Sequence, residues 1–144
     1  MNHPVSILIA SAAAMVVLTF IVGLRLLFVR MGEMRRKHIH PQAISTSVQS
    51  TTQFEDVRAA DNFKNLFEVP VLFYALVATA AAVGHVPLWL TVGAWVFVML
   101  RALHSFIHCT YNKVMHRFAV FFLSFTTVSA LWISFVVSLP ANGG

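Results

Sequence analysis

Residues 66–107 read LFEVPVLFYALVATAAAVGHVPLWLTVGAWVFVMLRALHSFI, and this stretch decides the fold. Two apolar runs stand on either side of the short connection Gly84-His85-Val86. A helix of about 20 apolar residues crosses the hydrocarbon core of a membrane. Because the connection is so short, the runs predict two antiparallel helices that cross the membrane side by side. Glu68 and Arg101 are the formally charged residues within this stretch.

The apolar pattern extends beyond this hairpin. Two further runs, 4–24 and 118–139, have a similar length, and 58% of the 144 residues are hydrophobic, with a mean hydropathy of +0.78. The sequence therefore predicts an all-α membrane protein, a four-transmembrane-helix bundle that forms a single domain over residues 1–144. Ser50 or Thr52 is the expected cap of the second helix, and Pro70 is expected to bend it. The expected helices span about 4–37, 53–83, 87–110 and 117–139, with a loop at about 38–52.

The formal charges gather in two windows of the chain. All ten lysines and arginines and all five acidic residues lie within 25–68 and 101–117. The connections before the second and the fourth helix carry basic residues, whereas the middle connection and both chain ends carry none. The positive-inside rule then places these two connections in the cytoplasm and both termini on the non-cytoplasmic side. The net charge of +5 reflects this topology and does not indicate nucleic-acid binding.

Polar residues recur at spacings of three and four on both helices of the hairpin, which places each set on one helical face. In an antiparallel hairpin, residues at equal distance from the connection lie at equal depth. Glu68 is then level with Arg101, and Asn65 is level with His104. The two stripes consist of Arg58, Asp61, Asn65 and Glu68 on the second helix and of Arg101, His104 and His108 on the third.

The depth of Glu68 and Arg101 makes them candidates for function. At a rise of about 1.5 Å per residue, both lie roughly 21–22 Å from the connection, inside a hydrocarbon core about 30 Å thick. Ionisable residues at this depth face the protein interior or a wet cavity. A pair at one level serves either as a staple between two helices or as part of a site. Arg117 adds a cation at a similar level and favours an arginine-rich pocket for a small ligand with several carboxylates.

Three segments of the chain resemble the membrane-associated proteins in eicosanoid and glutathione metabolism, the MAPEG family. RAADNFKNLFEVPVLFY (58–74) is similar to the family's Arg–Asn–Glu pattern at the entry to its second helix. RALHSFIHCTYNKVMHRF (101–118) is similar to its third helix and the start of its fourth. MGEMRRK (31–37) is similar to its glutathione-site arginine segment and points to Arg35. The chain looks most like the short bacterial members, which implies an integral protein of the bacterial inner membrane.

The resemblance implies a homotrimer that binds glutathione between neighbouring subunits near the cytoplasmic side. Arg117 matches the arginine that stabilises the glutathione thiolate, since a guanidinium beside a thiol favours its charged form. The chain departs from the family at three positions. Asp61 and Phe63 stand where members often carry Arg and His, and Phe121 stands where many have Tyr. The expected glutathione-binding residues are Arg35, Arg58, Asn65, Glu68, Arg101, His104 and His108.

Three functions remain open on these observations. The leading hypothesis is a glutathione-dependent membrane transferase or peroxidase that acts on small lipophilic electrophiles, with glutathione as co-substrate. The alternative is a non-catalytic integral membrane scaffold of the same fold, in which Glu68 and Arg101 form a staple. A third is a proton-coupled carrier that uses Glu68, His104 and His108. No metal site is expected, because His38 and His40 are two histidines in a loop without carboxylate or cysteine partners.

Overall fold

Long apolar stretches fold as helices in lipid because a helix satisfies its backbone N–H and C=O groups within the segment. The computed structural model describes residues 3–46 and 52–139, and it contains no strand within these residues. Its principal elements are α1 (His3–Lys37), a 3-10 turn (Pro41–Ile44), α2 (Arg58–Asn65), α3 (Val69–Val83), α4 (Leu88–Cys109) and α5 (Val114–Ser138). Four stretches are long and apolar enough to cross a membrane, with α2 and α3 together forming one of them. The predicted all-α four-helix membrane bundle is confirmed.

The α3–α4 hairpin turns at Gly84. This residue has a left-handed φ of 75°, which glycine adopts without a steric penalty, and its N–H donates to the Ala80 carbonyl at 3.0 Å. Pro87 follows with extended backbone and is the N-cap of α4. The rings of Phe73 and Phe97 stack across the hairpin, with centroids 4.5 Å apart, and both are fully buried. The two antiparallel helices that the sequence predicts are therefore present, joined by a short turn and bridged by aromatic side chains.

The α4 helix packs against α1, α2 and α5. The charged residues lie toward one end of the bundle, called the charged end below. There, Arg25 Nη2 donates to the Cys109 carbonyl at 2.5 Å and fastens α1 to the end of α4. At the opposite end, His85 Nε2 and Ser138 Oγ lie 3.1 Å apart and join the hairpin turn to α5. Buried core side chains include Leu8, Met15, Leu76, Leu90, Val128 and Phe135.

The second membrane-crossing stretch is interrupted at residues 66–68. Pro70 has no N–H, so the Leu66 carbonyl cannot receive its ordinary helical bond from residue 70. The chain tightens there instead, and the Phe67 N–H donates to the Lys64 carbonyl at 2.9 Å, three residues back. The expected continuous second helix is therefore two helices, α2 and α3. Its expected bend at the proline is a break just before it.

The segment that precedes α2 is fastened to the end of α1. The buried Glu33 carboxylate accepts the N–H of Glu55 at 3.1 Å and the N–H of Asp56 at 3.2 Å. Lys37 Nζ lies 3.0 Å from Glu55 Oε1, and Arg36 Nη2 lies 3.1 Å from Glu55 Oε2. The hydrogen bond from Lys37, with the charges of Lys37 and Arg36, lowers the pKa of Glu55 below its ordinary value. These contacts hold the segment close to the charged end.

This attachment shifts the start of the second helix. The helix α2 begins at Arg58 rather than near residue 53, and its N-cap residue Val57 makes no side-chain cap bond. Asp56 Oδ1 accepts the Arg58 N–H at 3.1 Å, a role expected of Ser50 or Thr52. Ser50 lies outside the described residues. The hydrogen bond from Arg58 is the main cause that lowers the pKa of Asp56.

Candidate functional site

Two adjoining cavities lie among α2, α4 and α5 at the charged end. The polar cavity has a volume of about 300 Å³, and the aromatic cavity has a volume of about 220 Å³. Asn65 and Arg117 line both, so these two side chains stand at the junction. The polar cavity is lined by Asp61, Lys64, Asn65, Glu68, His108 and Arg117. The aromatic cavity is lined by Asn65, His104, Val114, Arg117, Phe118 and Phe121.

The helix register brings the predicted residues together across the hairpin. Asn65 and His104 line the same cavity, and so do Asp61 and His108, as their equal distances from the turn predict. Both histidines are buried, and they lie on one face of α4 with ring centroids 5.7 Å apart. The expected site residues that line one or both cavities are Asn65, Glu68, His104, His108 and Arg117.

Arg117 is held by one edge of its guanidinium. Its Nη1 donates to Asn112 Oδ1 at 2.9 Å and lies 3.2 Å from His108 Nε2. Asn112 has a left-handed φ of 47°, a conformation that asparagine tolerates better than most residues. The Nε and Nη2 atoms of Arg117 donate to no residue in the described part of the chain. One edge of the guanidinium is therefore fixed, and its other donors remain available to a ligand.

The partners of the two histidines fix their tautomers. Arginine has only donors, so His108 Nε2 accepts from Arg117 and the proton of the neutral ring lies on Nδ1. His104 Nδ1 lies 3.2 Å from the Arg117 carbonyl oxygen, so Nδ1 donates and Nε2 carries the lone pair. Within the described residues, His104 Nε2 and His108 Nδ1 have no hydrogen-bond partner. The site thus holds one buried acceptor and one buried donor that are unsatisfied.

Arg101 is wholly buried and lines neither cavity. Its Nη2 donates to the Asn65 carbonyl at 2.7 Å, where α2 ends and the carbonyl is open to a side-chain donor. Its Nε and Nη1 atoms have no partner among the described residues. Its guanidinium also lies 5.9 Å from the centroid of the Phe121 ring, within cation–π range. Arg101 therefore supports the backbone of Asn65 from behind the cavities.

The expected ion pair between Glu68 and Arg101 is absent. No Glu68 oxygen lies within 4.0 Å of a basic nitrogen of any described residue. The break at 66–68 explains the difference, because Glu68 no longer follows the helical face of α2 and is exposed. Its carboxylate lines the polar cavity instead. The Asn65 amide is likewise free of hydrogen bonds to the described residues and is only half-buried.

Besides Arg101, two expected binding residues lie outside the cavities. Arg58 donates to the Asp56 carboxylate from Nε at 2.9 Å and from Nη2 at 2.8 Å. Its Nη1 donates to the Thr110 carbonyl at 2.7 Å. It therefore joins the start of α2 to the end of α4. Arg35 is exposed near the end of α1 and lines neither cavity. Both residues were expected to contact glutathione, and within this chain the structure brings neither to the cavities.

Three polar residues with a role in this region were not among those expected. Asn62 is fully buried, accepts from Ser105 Oγ at 3.3 Å and donates to Cys109 Sγ at 3.4 Å. It thereby fixes α2 against α4 beneath the site. Asn112 holds Arg117 through the hydrogen bond from Arg117 Nη1 to Asn112 Oδ1. The signals were weak, since Asn62 and Ser105 fall outside the stripe pattern and Asn112 lies in a short connection, where asparagine is common.

A comparison with protein families agrees with this architecture. The family model for MAPEG matches residues 8–137, nearly the whole chain, and this range includes every residue that lines the two cavities. No curated protein and no solved structure matches the chain. The family includes glutathione transferases and peroxidases together with other members. The chain belongs to the MAPEG family.

Proposed function

We propose that this protein is a glutathione-dependent membrane transferase or peroxidase that acts on lipophilic electrophiles. The observation that carries the proposal is the position of Arg117, which lines a polar cavity on one side and an aromatic cavity on the other. A hydrophilic thiol peptide suits the polar cavity, and an apolar electrophile suits the aromatic one. The two reactants then meet beside one guanidinium.

The chemistry assigned to Arg117 is stabilisation of the thiolate. Its Nη1 is held by Asn112 and His108, which leaves Nε and Nη2 to face the sulfur. A nearby positive charge favours the ionised form of a thiol and lowers its pKa. Arg117 also lies in the first turns of α5, where the helix dipole favours negative charge. The thiolate is the nucleophile of glutathione, so this placement raises its reactive fraction at neutral pH.

Both reactions follow from that thiolate. In transfer, the sulfur bonds to the electrophilic carbon, and the leaving group departs with its electron pair. In peroxide reduction, the sulfur attacks one peroxide oxygen, the O–O bond breaks, and the alkoxide takes up a proton to leave as an alcohol. A second glutathione thiolate then displaces hydroxide from the oxidised sulfur and gives the disulfide and water. In both cases the thiol proton passes to solvent through the polar cavity.

The other cavity residues position the peptide. The free amide of Asn65 and the Nδ1–H of His108 supply donors, and the Glu68 carboxylate supplies an acceptor. His104 Nε2 supplies a further acceptor on the aromatic side. Arg101 acts through the Asn65 carbonyl that it holds, which makes it a positioning residue in this proposal.

A homotrimer completes the proposal. Glu68 lies within a membrane-crossing stretch, is exposed in the single chain and has no ion-pair partner among the described residues. A lone carboxylate at that level is costly in lipid, which favours cover by a neighbouring subunit. Arg35 is exposed and unpaired among the described residues, and a neighbour's copy of Arg35 is the cation that we assign to this interface. The charged end then faces the cytoplasm of a bacterial cell, with both termini across the inner membrane.

The test compares one arginine variant and one lysine variant with the wild type in lipid nanodiscs. Conjugation of glutathione to an aryl halide and reduction of an organic hydroperoxide are measured for the wild type, Arg117→Ala and Lys113→Ala. Lys113 is an exposed cation that lines neither cavity and makes no side-chain cap bond to α5, so it controls for loss of charge. We expect Arg117→Ala to lose activity and Lys113→Ala to retain it. If the folded wild type has neither activity, the scaffold alternative replaces the enzyme.

A further inference from the structure

Two of the five side-chain carboxylates have no hydrogen bond or ion pair with the described residues, and both line the polar cavity. Glu33, Glu55 and Asp56 each accept hydrogen bonds or form ion pairs at the charged end. Asp61 and Glu68 have no hydrogen bond and no ion pair with any described residue. Free carboxylates are thus confined to the cavity, while the neighbouring carboxylates are all engaged.

Asp61 stands beside a cation that does not neutralise it. Lys64 lies three residues further along α2, a spacing that places both side chains on one helical face. Both are exposed and both line the polar cavity, yet no ion pair within 4.0 Å joins them. One turn earlier on the same chain, Asp56 and Arg58 do form such a pair, at 2.8 Å. A carboxylate and an ammonium group therefore stand side by side, each free to meet a ligand.

The charges that line the polar cavity are balanced. Asp61 and Glu68 supply two carboxylates, and Lys64 and Arg117 supply two cations, because Arg101 lies behind the cavity. This differs from the arginine-rich pocket expected from the sequence. A ligand that bears only carboxylates would meet repulsion from two sides. A ligand with both an ammonium group and carboxylates matches this lining.

We infer that Asp61 binds the ammonium group of the thiol peptide, so that a free α-amino end is required of the substrate. The inference rests on the proposed function and deepens it. The α-amino acid end of glutathione carries an ammonium group and a carboxylate on one carbon. Asp61 and Lys64 are adjacent on α2 and meet both groups at once. Charge-assisted hydrogen bonds of this kind are the stronger ones in proteins.

The placement of the two residues also orients the peptide. Asp61 and Lys64 line a further cavity of about 300 Å³ at the charged end, together with Arg30 and Phe54. They therefore stand on the side of the polar cavity away from the aromatic cavity, of which neither is a lining residue. With its amino end at Asp61, the peptide directs its thiol toward Arg117. The contact between Asp61 and the ammonium group then both selects peptides with a free amino end and places the sulfur near Arg117.

The experiment compares glutathione with its N-acetylated form, which keeps the thiol and both carboxylates and lacks the ammonium group. Dissociation constants are measured by calorimetry on the full chain in nanodiscs. We expect the wild type to bind glutathione about tenfold more tightly, equivalent to about 1.4 kcal/mol. In Asp61→Asn the ratio falls to about one, because glutathione weakens and the acetylated form does not. Asp61→Ser serves as a second variant at this exposed position.

Two controls make the outcome specific. Glu55→Gln removes an exposed carboxylate that does not line the polar cavity, and the ratio stays at the wild-type value. Glu68→Gln removes an acceptor that the proposed function assigns to the peptide, so both peptides bind more weakly by a similar factor and the ratio of their dissociation constants is retained. Equal binding of the two peptides by the wild type, or an unchanged ratio in Asp61→Asn, overturns the inference and leaves the proposed function standing. A wild type that binds neither peptide overturns both.

Discussion

Replacement of Asn112 by glycine tests how the guanidinium of Arg117 is held. Asn112 Oδ1 accepts from Arg117 Nη1 at 2.9 Å, and His108 Nε2 is the other partner of the same atom. Asn112 has a φ of 47°, a left-handed conformation that glycine adopts without strain. The variant therefore removes one anchor of the arginine and leaves the backbone of the connection intact.

The magnitude follows from the type of bond that is lost. A hydrogen bond to a charged group contributes about 1.5–3 kcal/mol. Arg117 is half-buried, and solvent replaces part of the lost interaction, so the lower end of this range applies. A loss of about 1.4 kcal/mol in the transition state lowers the rate about tenfold. We expect kcat for glutathione conjugation to fall by about this factor.

The assay measures initial rates at saturating glutathione for the wild type, Asn112→Gly and Asn112→Asp. Aspartate keeps an acceptor oxygen at the same place and tolerates the left-handed conformation, so Asn112→Asp retains most of the rate. Thermal unfolding in nanodiscs checks that all three proteins are folded. A folded Asn112→Gly with the wild-type kcat would refute the view that the side chain of Asn112 positions Arg117.

Two further predictions concern the region around the site. Among residues 3–46 and 52–139, the buried guanidinium of Arg101 has one hydrogen bond and two nitrogens without a partner. For Arg101→Met we therefore expect an unchanged or higher Tm without ligand and a smaller thermal shift on adding glutathione. A lower Tm without ligand, or an undiminished shift, would contradict this role. The pKa values of Glu55 and Asp56 are lowered in the folded protein, so their contacts stabilise the segment before α2 fully above pH 4.5 and lose that contribution as the pH falls below 3.8. The protection factor of the Glu55 amide, which is its exchange rate corrected for the pH dependence of free amides, should fall in that acidic range. A protection factor that persists there would show that the carboxylate contacts do not hold the segment.

The helices and their register are readable from the sequence. Apolar runs of membrane-spanning length are visible directly in the sequence, and in lipid the backbone has few alternatives to a helix. The three-residue connection at Gly84 fixes the hairpin, so equal counting from the turn places Asn65 beside His104 and Asp61 beside His108. The interruption at 66–68 lies between these residues and the turn, yet each pair lines one cavity, so counting predicts the depth of a residue even where it does not predict the direction of its side chain.

The contacts of individual charges are not readable in the same way. Counting residues assumes a continuous helix, and the break before Pro70 turns Glu68 away from Arg101. Arg58 lies on the predicted stripe, yet its guanidinium binds Asp56 and the Thr110 carbonyl and does not reach the cavities. The choice among several nearby partners depends on the path of the connecting segments, which hydrophobic periodicity does not specify. Asn112 holds Arg117 for the same reason, from a connection with no periodic signal.

The most direct test of the central claim is the ultraviolet absorbance of the glutathione thiolate on the purified protein at neutral pH. We expect glutathione to produce thiolate absorbance with the wild type. With Arg117→Ala the absorbance is lost, while glutathione still raises the Tm because the other residues of the polar cavity remain. Absence of thiolate from the folded wild type, or equal thiolate with Arg117→Ala, would contradict the claim that Arg117 activates the thiol.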